Sequence, residues 1–325
     1  MAMGKKNLIQ RLLLAKPRTY SDSFVLNLLG WQIVRIFGLW LWRVLRIPKR
    51  IPTEYQDELA TLNARGALIV PNFLPSAEYE QIKKEFDSLK PQFVQDSSEV
   101  GLPHVMRMSI SDARVSDALR TRLLNHPHIR ALAETYLNRT YHFPWNVYLT
   151  SIRCSDEESR LPQNGGTNNL HMDVPTRVFK AFYYLTPADK DSGTLYYCFG
   201  SHRHGGIRRL LFEYILSVRY AMNRWNPETG GEYRVGEPWV KVTDEEIKRY
   251  GLVETPLTVP ANALVIGDVG GFHRRGNFAH AGERNTIEFN FREVETLRNT
   301  LFPLEQLVRK TFKLPPPAFE QQRAY

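Results

Sequence analysis

Residues 285–292, NTIEFNFR, are one of five short stretches that are rich in aromatic and β-branched residues and bounded by turn residues. The other four are YHFPWNVYLTSIRC (141–154), RVFKAFYYL (177–185), GTLYYCF (193–199) and NALVIGD (262–268). Stretches of this length and composition predict separate β-strands. A run of short strands favours a double-sheet barrel of the jelly-roll type.

Helices are predicted before and between these strands. ALIVP (67–71) predicts a short buried strand, and a helix is expected from Ser76 to about Leu89. Residues 115–137 predict two further helices, and Arg208–Trp225 predicts one more. We therefore expect a mainly β domain with covering helices. Its core would be a double-stranded β-helix of the jelly-roll or cupin-like type, preceded by an N-terminal amphipathic helix.

The positive charge of the chain is concentrated at its N-terminus. The 325 residues carry a net charge of +9, and the first fifty contain ten basic residues against one acidic residue, Asp22. The rest of the chain is therefore close to neutral. A domain that binds nucleic acid is expected to carry a basic face of its own, so no nucleic-acid partner is predicted.

Three regions follow from this composition. Residues 1–52 form a basic amphipathic N-terminal segment, residues 53–300 the β domain, and residues 301–325 a C-terminal tail with three consecutive prolines. The only cysteines, Cys154 and Cys198, do not make a disulfide framework. A reducing, cytoplasmic location is expected, with peripheral contact to a membrane as one alternative.

The N-terminal segment contains the stretch FVLNLLGWQIVRIFGLWLWRVL (24–45), which combines a basic stripe with a broad apolar face and three tryptophans. This pattern is typical of a helix that lies in a membrane interface, here through residues 20–50. A helix docked on the protein's own core or on a second subunit is the alternative. A membrane-spanning anchor is a third, although Arg35 near the middle of the stretch makes it costly.

A metal site is predicted from His171-Met172-Asp173. Residues two apart on a strand point to the same face, so this imidazole and this carboxylate can share one ion. A further histidine on a neighbouring strand would complete a facial triad of two histidines and one carboxylate, which leaves positions open as iron(II) oxygenases require. His273 is the candidate for that third ligand.

A cosubstrate anchor is predicted eleven residues after His273. Arg284 lies at the entry to the last strand, where its guanidinium can face the metal pocket and take the distal carboxylate of 2-oxoglutarate with two hydrogen bonds. His280 with Arg292 is a competing pair at a similar spacing. The segment 203–240 is expected to form a lid over the pocket. In it, Arg203, Arg208 and Arg209 either meet an anionic headgroup, a phosphate or CoA, or make up a solvated basic helix face.

Four motifs in this order resemble the phytanoyl-CoA dioxygenase family of iron(II)- and 2-oxoglutarate-dependent oxygenases. They are ALIVPNFLPSAEYEQIKKEFD (67–87), HMD followed by FKAFYYL (171–185), SGTLYYCFGSHR (192–203) and GDVGGFHRRG (267–276) with its trailing arginine. The resemblance implies a jelly-roll fold with His171, Asp173 and His273 as iron ligands and Arg284 as the 2-oxoglutarate anchor. It also implies an assisting role for Thr194. One departure is Arg275, which stands where the family often has a small hydroxyl residue.

The function that the resemblance implies is that of a dioxygenase with iron(II) as cofactor and 2-oxoglutarate and O₂ as cosubstrates. It would hydroxylate a small-molecule or lipid-like substrate and release succinate and CO₂. Related halogenases have Ala or Gly in place of the carboxylate, so Asp173 favours hydroxylation over halogenation. The alternatives are a hydroxylase of protein side chains and a catalytically silent relative that binds a ligand.

Overall fold

The computed structural model describes most of the chain between Phe24 and Arg292. The described ranges are 24–34, 36–37, 52–96, 103–138, 144, 146–163, 166–173, 177–203, 207–225 and 240–292. Twelve strands are found there: β1 Ala67–Val70, β2 Val94–Gln95, β3 His104–Ser109, β4 Asn146–Cys154, β5 His171–Met172, β6 Val178–Tyr184, β7 Leu195–Cys198, β8 Val240–Lys241, β9 Glu254–Pro256, β10 Ala263–Asp268, β11 His273–Arg275 and β12 Gly282–Arg292.

The α-helices of these ranges lie mainly before and between the strands. They are α1 Phe24–Leu28, α2 Gln56–Arg65, α3 Ser76–Leu89, α4 Asp117–Leu124, α5 Pro127–Tyr136, α6 Asp156–Ser159, α7 Ile207–Trp225 and α8 Asp244–Arg249. Short 3-10 helices cover Thr53–Tyr55, Lys90–Gln92 and Gly166–Asn168.

The strands form two antiparallel sheets. The larger sheet has the order β1-β10-β6-β12-β4-β3-β2, and the smaller has the order β8-β5-β11-β7-β9. Neighbouring strands in both sheets are mostly distant in sequence, as expected of a jelly roll and not of a simple meander.

The alternation of side chains along β12 shows how the larger sheet is oriented. Ile287, Phe289 and Phe291 are buried in the main core together with residues of α3, α4 and α5. Thr286 and Glu288 alternate with them and therefore point to the opposite face, toward the smaller sheet. The helices thus cover the outer face of the larger sheet, and its inner face is partly polar.

A second core lies between the two sheets. Phe182 and Tyr184 of β6 pack there with Leu195 and Tyr197 of β7. The outer face of the smaller sheet is covered in turn by α7 and α8, where Met172 and Phe272 are buried with Phe212 of α7. Both sheets are thus enclosed by helices on their outer faces.

The sequence-based fold prediction is confirmed: the chain is mainly β, with a jelly-roll core and covering helices. The predicted strand at 67–71 and the helix beginning at Ser76 are present as β1 and α3. The predicted C-terminal tail, 301–325, lies outside the described residues, and the proposed domain limits stay predictions. None of the helices in the described ranges is both long and apolar enough to cross a bilayer.

Candidate metal centre

Two histidines face each other across the centre of the smaller sheet. His171 opens β5 and His273 opens β11, and these two residues are direct partners in the antiparallel register. Their ring centroids are 4.5 Å apart. Both side chains are almost fully buried. The sheet itself therefore sets the separation of the two imidazoles.

Asp173 joins this pair immediately after β5. Its backbone N–H donates to the carbonyl of Val269 at 3.0 Å, which fixes the turn that carries the carboxylate. Asp173 Oδ1 lies 3.5 Å from His171 Nε2 and 3.6 Å from His273 Nε2. Two atoms that bind the same ion at about 2.1 Å, at neighbouring positions, lie about 3.0–3.5 Å apart. The three donor atoms therefore fit a shared metal ion better than direct hydrogen bonds.

Backbone carbonyls hold both imidazoles in the orientation that a metal needs. His171 Nδ1 donates to the carbonyl of Asn169 at 2.6 Å, and His273 Nδ1 donates to the carbonyl of Gly271 at 3.0 Å. With the proton on Nδ1, each Nε2 presents a lone pair toward Asp173. Burial, together with the neighbouring His171, lowers the pKa of His273, which favours the neutral ligand form.

Lys180 is a further member of the site that the sequence did not suggest. Its Nζ lies 2.7 Å from Asp173 Oδ2. Burial acts to raise the pKa of Asp173, but the positive charge of Lys180 outweighs it and holds that pKa well below its ordinary value. Lys180 thus keeps Oδ2 occupied and leaves Oδ1 for the ion. The available signal was a lone lysine within the apolar strand VFKAFYY.

Arg284, the predicted cosubstrate anchor, is buried on the inner face of β12, and its role stays a prediction. Its Nη1 donates to the carbonyl of Gly193, and its guanidinium carbon lies 5.9 Å from the centroid of the Tyr184 ring. Its Nε is buried without a hydrogen-bond acceptor. A buried guanidinium with donor capacity left over suits a carboxylate ligand.

Thr194 is fully buried, and its hydroxyl donates to the carbonyl of Leu257 at 2.5 Å. That contact ties β7 to the chain after β9. The assisting role of Thr194 in cosubstrate binding stays a prediction.

Arg275 lies two residues after His273 on β11, and so points to the same inner face. It is buried, and its Nε donates to Asn168 Oδ1 at 2.7 Å. Arg274, between them, points outward and pairs with Glu254 at 2.5 Å. The departure from the family pattern therefore places a second buried guanidinium on the strand that carries His273.

The other histidines that the structure describes do not join the cluster. Within the described ranges, the group of residues able to share a metal is His171, Asp173 and His273. His280 is exposed, and the side chain of Arg292 lies outside the described residues. His202 is buried against α2, where its Nε2 meets the carbonyl of Asn63 at 3.1 Å.

Asp268 organises the loop between β10 and β11, and it was not recognised from the sequence as part of the site. Its Oδ1 accepts from the N–H groups of Val178 at 3.0 Å and Gly270 at 2.9 Å, and its Oδ2 accepts from Tyr136 Oη at 2.5 Å. The loop that it braces includes Val269, which holds the Asp173 backbone. Asp268 therefore fixes the position of two metal-ligand candidates, Asp173 and His273.

No protein-family model and no curated protein matches the chain. Similar solved structures include the epimerase SnoN in complex with Fe³⁺, alpha ketoglutarate and nogalamycin RO. SnoN is 16% identical over 74% of this chain and 83% of its own, with a TM-score of 0.50. The chain has the fold of this non-haem, alpha-ketoglutarate-dependent enzyme.

Two other matches are weaker. HygX from Streptomyces hygroscopicus, with nickel, 2-oxoglutarate and hygromycin B bound, is 14% identical over 72% of this chain and 86% of its own, with a TM-score of 0.45. EctD from S. alaskensis, with 2-oxoglutarate and 5-hydroxyectoine, is 12% identical over 72% of this chain and 74% of its own, with a TM-score of 0.46. At these identities the likeness concerns the fold alone, and the narrower resemblance to the phytanoyl-CoA dioxygenase family stays a prediction.

Proposed function

We propose that this protein is an iron(II)- and 2-oxoglutarate-dependent dioxygenase. The observation that carries the proposal is the convergence of two imidazole nitrogens and one carboxylate oxygen, from His171, His273 and Asp173, on one point inside the barrel. This donor set suits iron(II) and leaves positions for a cosubstrate and O₂. SnoN, whose fold this chain shares, is described with Fe³⁺ and alpha ketoglutarate.

The residues of the chain divide the work of the site. His171 and His273 would hold the metal through Nε2, and Asp173 would hold it through Oδ1, while Lys180 keeps the carboxylate ionised. With iron(II) and 2-oxoglutarate bound, the site would convert 2-oxoglutarate and O₂ into succinate and CO₂ and place the second oxygen atom in a substrate C–H bond. The buried position of both histidines excludes water from the metal side of the pocket.

Arg284 would bind the distal carboxylate of 2-oxoglutarate. Its unpaired Nε and its position on the inner face of β12 support this role. Thr194 would assist only by turning its hydroxyl hydrogen from Leu257 to that carboxylate, because a carboxylate only accepts hydrogen bonds.

Hydroxylation is the outcome we propose, because Asp173 occupies the position that halogenases leave free for a halide. SnoN is described as an epimerase, so a different oxidative outcome on the same fold is the competing result. Product analysis by mass spectrometry separates them: hydroxylation adds one oxygen atom to the substrate, and epimerisation leaves its mass unchanged.

We propose a small-molecule or lipid-like substrate that carries a polar group, because the inner face of the larger sheet has polar side chains near Lys180. Asn290 lies beside Lys180 in the register of β12 and β6, and its Oδ1 is buried without a donor. Two residues along the same face, Glu288 pairs with Arg107 at 3.3 Å. These side chains offer both charges to a substrate group close to Lys180.

The test is succinate formation in air by anaerobically purified, iron(II)-loaded protein, with binding of iron(II) and 2-oxoglutarate measured separately by calorimetry. We expect His171→Ala to lose both iron(II) binding and succinate, and Arg284→Ala to lose 2-oxoglutarate binding while it retains the metal. His280→Ala is the matched control, because this histidine is exposed and outside the cluster. If the folded wild-type protein bound neither iron(II) nor 2-oxoglutarate, the oxygenase assignment would fall and the silent ligand-binding alternative would replace it.

A further inference from the structure

In helix α1 and the helical residues 31–34 that follow it, polar side chains are buried where apolar ones would be expected. Asn27 and Gln32 are buried, at 0% and 1% exposure. The apolar side chains around them point outward instead. The exposed ones are Phe24, Val25, Leu28, Leu29, Val34 and Phe37.

Helix α7 also carries apolar side chains on its outer side. Its inner side buries the Arg209–Glu213 ion pair, at 2.6 Å, beside the apolar Phe212 and Leu216. Its outer side is a stripe with a spacing of about one helical turn. The exposed apolar residues of this stripe are Ile207, Leu211, Ile215 and Met222.

Helices α1 and α7 lie side by side. Asn27 Nδ2 donates to the carbonyl of Ser217 at 2.8 Å, and Tyr214 Oη donates to the carbonyl of Leu28 at 3.0 Å. Their outward apolar residues therefore belong to one surface, which we call the apolar face. It consists of Phe24, Val25, Leu28, Leu29, Val34, Phe37, Ile207, Leu211, Ile215 and Met222.

This concentration is not that of an ordinary water-facing surface. Among the residues that the structure describes, fourteen large hydrophobic residues are exposed, and ten of them belong to the apolar face. Single exposed apolar residues are normal, but a patch of this kind marks a contact with another apolar phase or molecule. Arg209 pairs with Glu213 on the inner side of α7, so the outward position of the apolar stripe is set by the fold.

The charge of the segment that carries the face decides between possible occupants. The first fifty residues hold ten basic side chains and one acidic side chain, and Trp31 lies within the helical part. Anionic lipid headgroups attract such a basic segment, and the apolar side chains can enter the boundary between headgroups and acyl chains. A second copy of this chain would carry the same net charge of +9, which opposes self-association.

We propose that the apolar face docks the protein on an anionic lipid bilayer. It does so as a preformed surface, to which α7 contributes four of the ten apolar residues and the N-terminal segment six. Helix α7 also reaches the metal-site loop, because Phe212 packs on Phe272 with ring centroids 5.4 Å apart. Docking through α7 would therefore hold the barrel at a fixed orientation to the membrane.

The proposal is tested with the full chain and vesicles of phosphatidylcholine, with and without phosphatidylserine, in a sedimentation assay. We expect binding to the mixed vesicles and at least a tenfold weaker binding by the double variant Leu211→Glu/Ile215→Glu. Both residues lie outside the N-terminal basic segment, so its charge is unchanged. Val253→Glu is the matched control, since Val253 is 75% exposed and lies outside the apolar face. It should bind as the wild type does.

Three results would overturn the proposal. One is wild-type binding by the double variant, which would mean that the basic segment alone holds the vesicle. Another is no vesicle binding combined with a wild-type dimer that the double variant dissociates, which would make the face a subunit interface. The third is no vesicle binding together with a strong loss of thermal stability in the double variant, which would mean that another segment of the chain covers the face.

Discussion

Lys180 Nζ lies 2.7 Å from Asp173 Oδ2 and binds the oxygen of this carboxylate that does not face the two histidines. The two residues come from different elements, since Lys180 is in the centre of β6 in the larger sheet and Asp173 follows β5 in the smaller sheet. The contact therefore joins the two sheets at the candidate metal centre.

Replacement of Lys180 by methionine should destabilise the metal-free protein in a pH-dependent way. The folded pKa of Asp173 is lowered, so its stabilisation is present above the unfolded value and is lost as pH falls through the folded value. Without the lysine, burial dominates and raises that pKa. We expect a loss of about 2–3 kcal/mol in the free energy of unfolding at pH 7, and a smaller loss at pH 5. Urea unfolding at both pH values measures it.

Lys190→Met is the control for this prediction. The Lys190 side chain is 71% exposed, and its Nζ makes only a long contact, of 3.8 Å, with Asp191 Oδ2. It should change stability by less than about 0.5 kcal/mol at either pH. An equal effect of the two substitutions would show that the Lys180–Asp173 pair contributes nothing specific.

Replacement of His273 by alanine should remove metal-dependent stabilisation. An ion that binds only the folded state at about 100 times its dissociation constant stabilises that state by about 2.7 kcal/mol. Thermal unfolding with and without manganese(II), as a redox-stable substitute, should show a shift in the wild type and in His280→Ala but none in His273→Ala. A shift of the unfolding temperature that is retained in His273→Ala would show that the metal binds elsewhere in the protein.

Replacement of Arg284 by lysine should weaken 2-oxoglutarate binding by about 10- to 100-fold, because lysine keeps the charge but loses the planar pair of donors. Calorimetry on the manganese(II)-loaded protein measures the affinity, and manganese(II) binding itself should not change. Arg160→Lys, at an exposed position, serves as the control. Unchanged 2-oxoglutarate affinity in Arg284→Lys would leave Arg275 as the better candidate for the anchor.

Replacement of Tyr136 by phenylalanine should reduce both stability and metal affinity. The hydroxyl donates to the buried Asp268 carboxylate at 2.5 Å, and loss of a hydrogen bond to a charged group costs about 1.5–3 kcal/mol. Because Asp268 braces the loop that positions Asp173 and His273, we also expect about tenfold weaker manganese(II) binding. Tyr79→Phe should lower stability alone, since Tyr79 Oη donates to the Leu185 carbonyl, far along β6 from Val178. Equal metal affinities in the two variants would contradict the bracing role.

The strands and the clustering of the candidate metal ligands could be predicted from the sequence, because both depend on local patterns. The alternation in NTIEFNFR gives the strand, and the two-residue spacing of His171 and Asp173 gives the shared face. The pairing of His273 with His171 followed from a motif that keeps its order along the chain. The contact of Lys180 with Asp173 could not be predicted from the sequence, because it depends on how the two sheets stack and not on sequence distance.

The polarity of α7 misled the sequence-based reading for a related reason. Arg209 was expected to meet the anionic group of a ligand or to face solvent. It is instead buried, with Nη1 donating to the Ser201 carbonyl at 2.7 Å. Arg203 donates to the Ala64 carbonyl at 2.6 Å, so it too is engaged with the protein. Helical periodicity shows that a helix has two faces, but it does not show which face is turned inward when a charged pair neutralises itself.

The brace around Asp268 has a consequence for amide hydrogen exchange. The amides of Val178 and Gly270 donate to one buried carboxylate, and the amide of Asp173 donates to the carbonyl of the next residue, Val269. None of these hydrogens can exchange with solvent unless the loop opens, and opening the loop separates Asp173 from His273. Exchange at these three positions should therefore slow together when a metal binds, and would report occupancy of the centre without any turnover.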